Sequence, residues 1–269
     1  MRFAAFTDVH FGPAASFEGK LRKLSHHAGA LVADVIERLN RDEHPELVVN
    51  LGDVVEDESR DADRARYAEL VALGAQLDAP LVHVAGNHDS VHLDDDDLRA
   101  LWRHEGELFR SWDAGGVHFA ALRSVERKDR DVRLPREQVD WLADDLRRAA
   151  WPSVVLVHHP LGELDLAANR WFARAPHLCR IAERREVRGV IEASGKVALV
   201  LNGHAHWNHL DVCGGIPYVT LQSVVENLDE DAPGRPARAY AVVDLTPRRV
   251  LVRVGGEEPA RYQVELAPR

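Results

Sequence analysis

Five short clusters place metal-friendly side chains after apolar runs: Asp8-Val9-His10, Gly52-Asp53, Gly86-Asn87-His88-Asp89, His158-His159 and Gly203-His204-Ala205-His206. Each offers carboxylate, amide or imidazole donors, the groups that suit hard and borderline divalent metals. Each falls where a strand should end and a loop begin. Singly, each has a commoner explanation. A lone Gly-Asp is usually a turn or helix-capping aspartate. A lone Asp-x-His is usually a local hydrogen bond, and a histidine at a strand end a satisfied core residue. Five clusters between Asp8 and His206, at successive strand ends, point instead to one metal site assembled by folding.

The spacing sorts the donors. Asp8 and His10 are two apart, so in extended chain their side chains share a face. The same spacing recurs at His204 and His206, where Gly203 lets the backbone turn closely. Asp53 carries two oxygens and is able to bridge two ions. Asn87 and His88 are adjacent and should face different ways, one toward metal and one toward substrate.

The elements that must position these groups are legible as periodicities. Residues 3–7, 47–51 and 80–85 read as strands. Residues 24–40 and 62–77 carry apolar residues at helical spacing. This alternation predicts a mainly parallel sheet with covering helices. Further on, 117–122 and 154–157 read as strands around a helix at 136–149, and 180–187 as a helix. The runs 197–201, 210–212, 218–222, 239–245 and 250–254 are closely spaced strands, suggesting antiparallel hairpins and a second sheet. Two packed sheets with outer helices follow, in a single domain over residues 1–269. Asp94 to Asp97 lacks calcium-loop spacing and reads as a helix start. Asp229 to Pro236 reads as an exposed loop.

Composition bounds the rest. The chain has 269 residues, enough for a sizeable core. Its formal net charge of −10 argues against a nucleic-acid polymer or an anionic membrane as partner. It leaves a small phosphate substrate open, because bound cations invert the local field. Two cysteines give no disulfide framework and suit a reducing compartment. The N-terminal apolar run is too short for a signal-peptide core, and no run approaches a membrane span. A cytoplasmic protein is expected.

As an ordered set, Asp-x-His, Gly-Asp, Gly-Asn-His-Asp, His and Gly-His-x-His resembles the calcineurin-like metallophosphoesterase superfamily. The motifs run from Asp8 to His206. The resemblance implies an α/β fold, a four-layer α/β/β/α sandwich, and a phosphoester hydrolase with two metal ions, manganese, iron or zinc. One ion would be held by Asp8, His10, Asp53 and His206. The other would be held by Asp53, Asn87, His158 and His204, with Asp53 shared. His88 matches the superfamily's catalytic histidine. Its acidic partner should be Glu56, with neighbouring Asp57 as the substitute. His83, Asp89 and His159 match no ligand position and read as supporting or structural. Two ions about 3.5–4 Å apart would acidify a shared water, and the hydroxide would attack phosphorus. His88 would stabilise the charge or protonate the leaving group.

Some members of that superfamily have lost ligands and act as scaffolds; here every matched position is filled. The protein serine/threonine phosphatases carry a longer Gly-Asp-x-Val-Asp-Arg-Gly motif. This chain reads Gly52-Asp53-Val54-Val55-Glu56-Asp57-Glu58 and lacks that arginine and glycine. The pattern looks most like bacterial phosphodiesterases of the class III cyclic-nucleotide type, with phosphomonoesterase and nucleotide-diphosphatase as alternatives. Asn87, His88, Trp171 and Arg170 are the expected substrate contacts. Specificity should lie in segments 11–20, 90–116 and 161–177. Their aromatics, Trp102, Trp112, Trp171 and Phe172, either stack on a base or, more simply, pack the loops onto the core. Arg174 is a second candidate for reaching a phosphate.

Overall fold

Phe3, Ala4, Ala5 and Phe6 are all buried, so this strand must be covered on both faces. The computed structural model, which describes residues 1–266 apart from Asp129, Trp151 and Glu230, shows how. In chain order the strands are β1 (Arg2–Phe6), β2 (Ala15–Phe17), β3 (Lys20–Lys23), β4 (Val48–Asn50), β5 (Leu81–His83), β6 (Arg110–Ala114), β7 (Val117–Ala121) and β8 (Val125–Arg127). They continue with β9 (Asp131–Arg133), β10 (Ser153–Leu156), β11 (Val197–Asn202), β12 (His209–Cys213), β13 (Ile216–Thr220), β14 (Tyr240–Thr246), β15 (Arg249–Gly255) and β16 (Ala260–Glu265). The helices are α1 (Ala28–Arg38), α2 (Arg60–Gly74), α3 (Asp89–His92), α4 (Asp95–Trp102), α5 (Arg136–Arg148) and α6 (Arg184–Ser194).

Two six-stranded sheets stack face to face, in the orders β16-β15-β14-β1-β4-β5 and β12-β13-β11-β10-β7-β6. Their shared core includes Phe3, Val49, Leu51 and Val243 from one sheet and Phe119, Leu156 and Leu199 from the other. Phe3 and Phe119 meet edge to face across it, with ring centroids 5.3 Å apart. The first sheet's outer face is covered by α1, α2 and α4 through Val35, Ile36, Leu70 and Leu98. The second is covered by α5 and α6 through Leu142, Leu146, Val187 and Ile191. The result is the four-layer α/β/β/α sandwich.

The acidic run at Asp94 is a helix start. Asp94 caps α4 by accepting from the Asp97 N–H, and the Asp97 side chain accepts from the Asp94 N–H. The loop from Asp229 to Pro236 contains Glu230, which lies outside the described residues.

Three expectations are corrected. The C-terminal strands do not build the second sheet: β14, β15 and β16 complete the first, with β14 antiparallel to β1. The reason is β1 itself, whose parallel partner β4 satisfies only one edge. The helix expected at 180–187 begins at Arg184 and runs to Ser194. Ile181 instead bridges to Val132, and Gly195 ends the helix at a φ of 62°. The hairpins β2–β3 and β8–β9 and the edge strands β6 and β16 carried too few apolar residues to read as strands. No helix among the described residues is long and apolar enough to cross a membrane.

Candidate metal centre and active site

The five clusters follow the C-terminal ends of β1, β4, β5, β10 and β11. Strands β1, β4 and β5 run parallel in one sheet, and β10 and β11 run parallel in the other. Within each set, the loops are stitched together by backbone bonds. Asp8 N donates to Gly52 O at 2.9 Å and His10 N to Asp53 O at 3.0 Å. On the other sheet, Gly203 N donates to His158 O at 3.0 Å.

Asp8 and His10 come together, but not through an extended chain. Strand β1 has ended at Phe6, and Asp8 and His10 hold left-handed backbone with φ of 53° and 46°. Asp53, His204 and His206 do the same, at 54°, 65° and 49°. Such conformations cost about 1–3 kcal/mol each for non-glycine residues and persist only where the surroundings enforce them. The glycines make the crowding tolerable. A Cβ on Gly86 would lie 2.0 Å from Asp53 Oδ1, and one on Gly203 would lie 2.0 Å from Thr7 Oγ1.

All the carboxylates and histidines of the expected ligand set except His204 meet around Asp8 and Asp53. Asp8, His10 and His206 present atoms within 4.8 Å of one another, as do Asp8, Asp53 and His158. His206 Nε2 is 3.3 Å from Asp8 Oδ1, and His158 Nε2 is 3.1 Å from Asp53 Oδ2. His10 Nε2 is 3.8 Å from Asp8 Oδ1 and 3.9 Å from Asp53 Oδ2. His204 groups with His158 and His159. Its backbone N–H donates to Asp8 Oδ2 at 2.9 Å, and the Thr7 hydroxyl donates to the same oxygen at 2.7 Å.

Each imidazole is fixed from behind. His10 Nδ1 lies 2.9 Å from Glu56 Oε2, and His206 Nδ1 lies 2.7 Å from Glu226 Oε2. His158 Nδ1 donates to Leu51 O at 2.9 Å, and His204 Nε2 donates to Leu178 O at 3.1 Å. This outer bonding orients the remaining nitrogen of each ring, as in metal-binding histidines generally. His10 Nε2 and His206 Nε2 consequently face each other at 3.0 Å.

The residues fit metal ions. Asp8 Oδ1 and Asn87 Oδ1 are buried and have no hydrogen-bond partner, which is costly unless something else satisfies them. The donor set of carboxylates, one amide oxygen and imidazoles suits manganese, iron or zinc. Burial pushes the Asp8 and Asp53 carboxyls up, but His206 and His158 hold them well below the usual carboxylate range. Burial pulls His158 and His206 down, but Asp53 and Asp8 raise both to about 9. His204, buried beside His158, falls to about 3. A cation and a proton would compete for the same carboxylate field.

His88 is more open than this set, with its side chain 26% exposed, and its ring packs edge to face on His10 with centroids 4.7 Å apart. Its backbone N–H donates to Asp53 Oδ1 at 2.9 Å. Burial lowers its pKa, but Asp53 and Asp57 raise it above the ordinary histidine value. Asp57 Oδ1 approaches His88 Nδ1 at 3.4 Å. Glu56, the expected partner of His88, has its carboxylate within 4.8 Å of ring nitrogens of both His88 and His10, and it approaches His10 at 2.9 Å and the Lys23 ammonium at 2.6 Å. The reason is local. Glu56 packs on Gly12, where any Cβ would lie 2.4 Å from its own, and Asp57 takes left-handed backbone at φ 56°.

The other named residues divide clearly. Asp89 accepts from the N–H groups of Gly86, Asp53 and Val54 at 2.9, 3.0 and 2.7 Å, clamping two of the loops together. His83 bonds Asn50 at 3.2 Å and stacks on Trp102. His159 bonds Ser124 Oγ at 2.7 Å. Trp112, on β6, stacks on Phe119, and Trp102, at the end of α4, donates to Tyr67, so both pack onto the core. Trp171 spends its indole N–H on Glu226, and Arg170 donates to Asn227 O at 3.1 Å. Phe172 packs on His204, and Arg174 pairs with Glu18. Sequence reasoning missed Glu226 and Lys23. Neither lies in a metal-friendly cluster: Glu226 follows Val224-Val225, and Lys23 ends an edge hairpin.

Comparison with known proteins agrees with this geometry. The family described as calcineurin-like phosphoesterase matches residues 1–208. A protein named "Probable cyclic nucleotide phosphodiesterase" from Synechococcus sp. is 28% identical, over 92% of this chain and 88% of that protein. A "cAMP/cGMP dual specificity phosphodiesterase" from Mycobacterium tuberculosis is 26% identical, over 69% of this chain and 57% of that one. The solved structure of a dimetal phosphatase from Danio rerio superposes with a TM-score of 0.79 at 15% identity, covering 99% of each chain. The chain belongs to the calcineurin-like phosphoesterase family and is a metal-dependent phosphoester hydrolase.

Proposed function

We propose that this protein hydrolyses small-molecule phosphodiesters, cyclic nucleotides foremost. One ion would be held by Asp8, His10, Asp53 and His206, and the other by Asp53, Asn87, His158 and His204. When bound, such ions neutralise phosphoryl oxygens and acidify water enough to make it a nucleophile at neutral pH. Manganese, iron and zinc all suit these donors.

The chain's own groups supply the rest. The imidazoles of His10 and His206 are held by Glu56 and Glu226, and those of His158 and His204 by backbone carbonyls. Little reorganisation is then needed when charge develops. His88 donates a proton to the leaving oxygen, and Asp57 orients its ring and favours the protonated form. Asn87 reaches the same cleft and binds the phosphoryl group there. Both cysteines are free thiols, which suits action in the reducing cytoplasm.

The observation that carries this reading is the division of the histidines. Four have one nitrogen fixed from behind, and the fifth, His88, opens to a cleft beside Asp57. That two relatives are named as cyclic nucleotide phosphodiesterases supports the diester reading. The test is a substrate screen of metal-reconstituted protein with monoesters, diesters, cyclic nucleotides and nucleotide diphosphates. Diesters or cyclic nucleotides should lead by at least about tenfold in kcat/KM. A comparable lead for monoesters or diphosphates would overturn the diester assignment.

A further inference from the structure

His88 and Asn87 lie in a cleft of about 520 Å³ that Asp57 also lines. Ser90 and Val91 come from the α3 side. Arg123, Ser124, Val125, Glu126 and Lys128 come from the segment that carries the β8–β9 hairpin, so the two valines stand among charged groups. Val91 is 53% exposed and Val125 is 40% exposed. Only two other large apolar side chains among the described residues are exposed, Phe17 and Val212. Two of these four therefore share one cleft beside the proposed acid.

The cleft wall is built rather than loose. Val132, on the hairpin's second strand, is fully buried, and its carbonyl accepts from Ala182 N at 2.8 Å. Ser124 Oγ is held by His159 Nδ1 at 2.7 Å. This gives His159 and its neighbour Ser124 a purpose that the metal site does not. The opposite flank offers less room. The cavity beside Trp171 and His206 holds about 140 Å³, below the roughly 300–1,000 Å³ of small-molecule sites.

We infer that the Val91–Val125 cleft is the leaving-group subsite, and that it takes a flat, largely apolar organic group of nucleoside size. The inference rests on the phosphodiesterase reading above. A phosphoryl group seated at Asn87 directs its leaving oxygen toward His88, and the atoms beyond that oxygen enter this cleft. Two branched side chains gain from covering an apolar face of the ligand. The Lys128 ammonium stands nearby for ring heteroatoms.

The experiment compares two probes by calorimetric titration of manganese-loaded protein: adenosine 5′-monophosphate and inorganic phosphate. The double variant Val91→Asn/Val125→Asn keeps the charge unchanged and polarises both walls. Its affinity for the nucleotide should fall about tenfold, with phosphate affinity within about twofold of wild type. Unchanged nucleotide affinity, or an equal loss for both probes, overturns the subsite. So does a larger nucleotide loss in Trp171→Ala than in the valine pair, which would put the organic group on the other flank. Turnover of bis(4-nitrophenyl) phosphate by the wild type is measured in parallel. Its absence would sink the phosphodiesterase reading, while the binding comparison would still decide the subsite.

Discussion

Glu56 Oε2 lies 2.9 Å from His10 Nδ1, while its other oxygen lies 2.6 Å from the buried Lys23 ammonium. Burial pushes this carboxyl up, but His10 and then Lys23 bring it down to about 2, so it stays ionised. We read it as a brace for a metal-facing histidine, with Asp57 as the partner of His88. The two neighbouring carboxylates should separate cleanly by mutation. Glu56→Gln should weaken manganese binding about 10- to 100-fold, with kcat at saturating manganese little changed. Asp57→Asn should keep manganese affinity and lower kcat at least about tenfold. Equilibrium dialysis with steady-state kinetics reads both. The opposite pattern would return Glu56 to His88.

Gly86 is where the second and third clusters touch. A Cβ there would sit 2.0 Å from Asp53 Oδ1 and 2.3 Å from Asp53 N. The contact is with a clamped loop, since Asp89 ties Gly86 N and Asp53 N together. Gly86→Ala should destabilise the fold by about 1–3 kcal/mol through overpacking and displace the Asp53 carboxylate. Thermal unfolding and manganese stoichiometry test this together. A variant with wild-type stability and two manganese equivalents would contradict the close approach.

Most of the site was legible because its donors are of rare type and fall at strand ends, where apolar periodicity stops. The assignment of seven ligands came from the family resemblance, which does not depend on how the backbone turns. The turn itself was not legible. Asp8 and His10 looked like neighbours on an extended strand, yet both are left-handed. Nothing in a two-residue spacing distinguishes those conformations. The braces were hidden for a different reason. Glu226 reaches His206 from a loop after β13, and Lys23 reaches Glu56 from an edge strand. Their sequence neighbours are ordinary. In the fold, the buried strands were clear, and the exposed strands β6 and β16 were not. The destination of the C-terminal strands depended on which edge of β1 was unfilled, a tertiary fact.

Away from the site, His118 is held between two carboxylates. Its Nδ1 lies 2.8 Å from Asp113 and its Nε2 lies 2.8 Å from Asp145, which also accepts from the Ser111 hydroxyl at 2.7 Å. Only the cationic ring can donate to both. Burial lowers its pKa, but Asp145 and Asp113 raise it above the ordinary value. A raised folded pKa gives stability that is fully present below the unfolded value, near about 6.5, and lost as pH rises through the folded one. The Tm gap between wild type and His118→Gln should therefore be widest near pH 5.5 and shrink toward pH 9. A gap that is constant, or that widens with pH, would contradict the assignment.

Metal removal should cost stability, because the folded site concentrates what a cation would satisfy. Asp8 Oδ1 and Asn87 Oδ1 are buried without a hydrogen bond. Asp8, His10, Asp53, His204 and His206 all hold left-handed backbone. An ion bound at about 100 times its Kd stabilises the native state by about 2.7 kcal/mol per site. For a chain of this length each kcal/mol raises Tm by roughly 2–4 °C. Chelation should therefore lower Tm by at least about 5 °C, and added manganese should restore it. Asp53→Asn, which alters the donor proposed to serve both ions, should abolish most of that manganese-dependent gain. If Asp53→Asn instead gained as much from manganese as the wild type, Asp53 would not be the shared ligand.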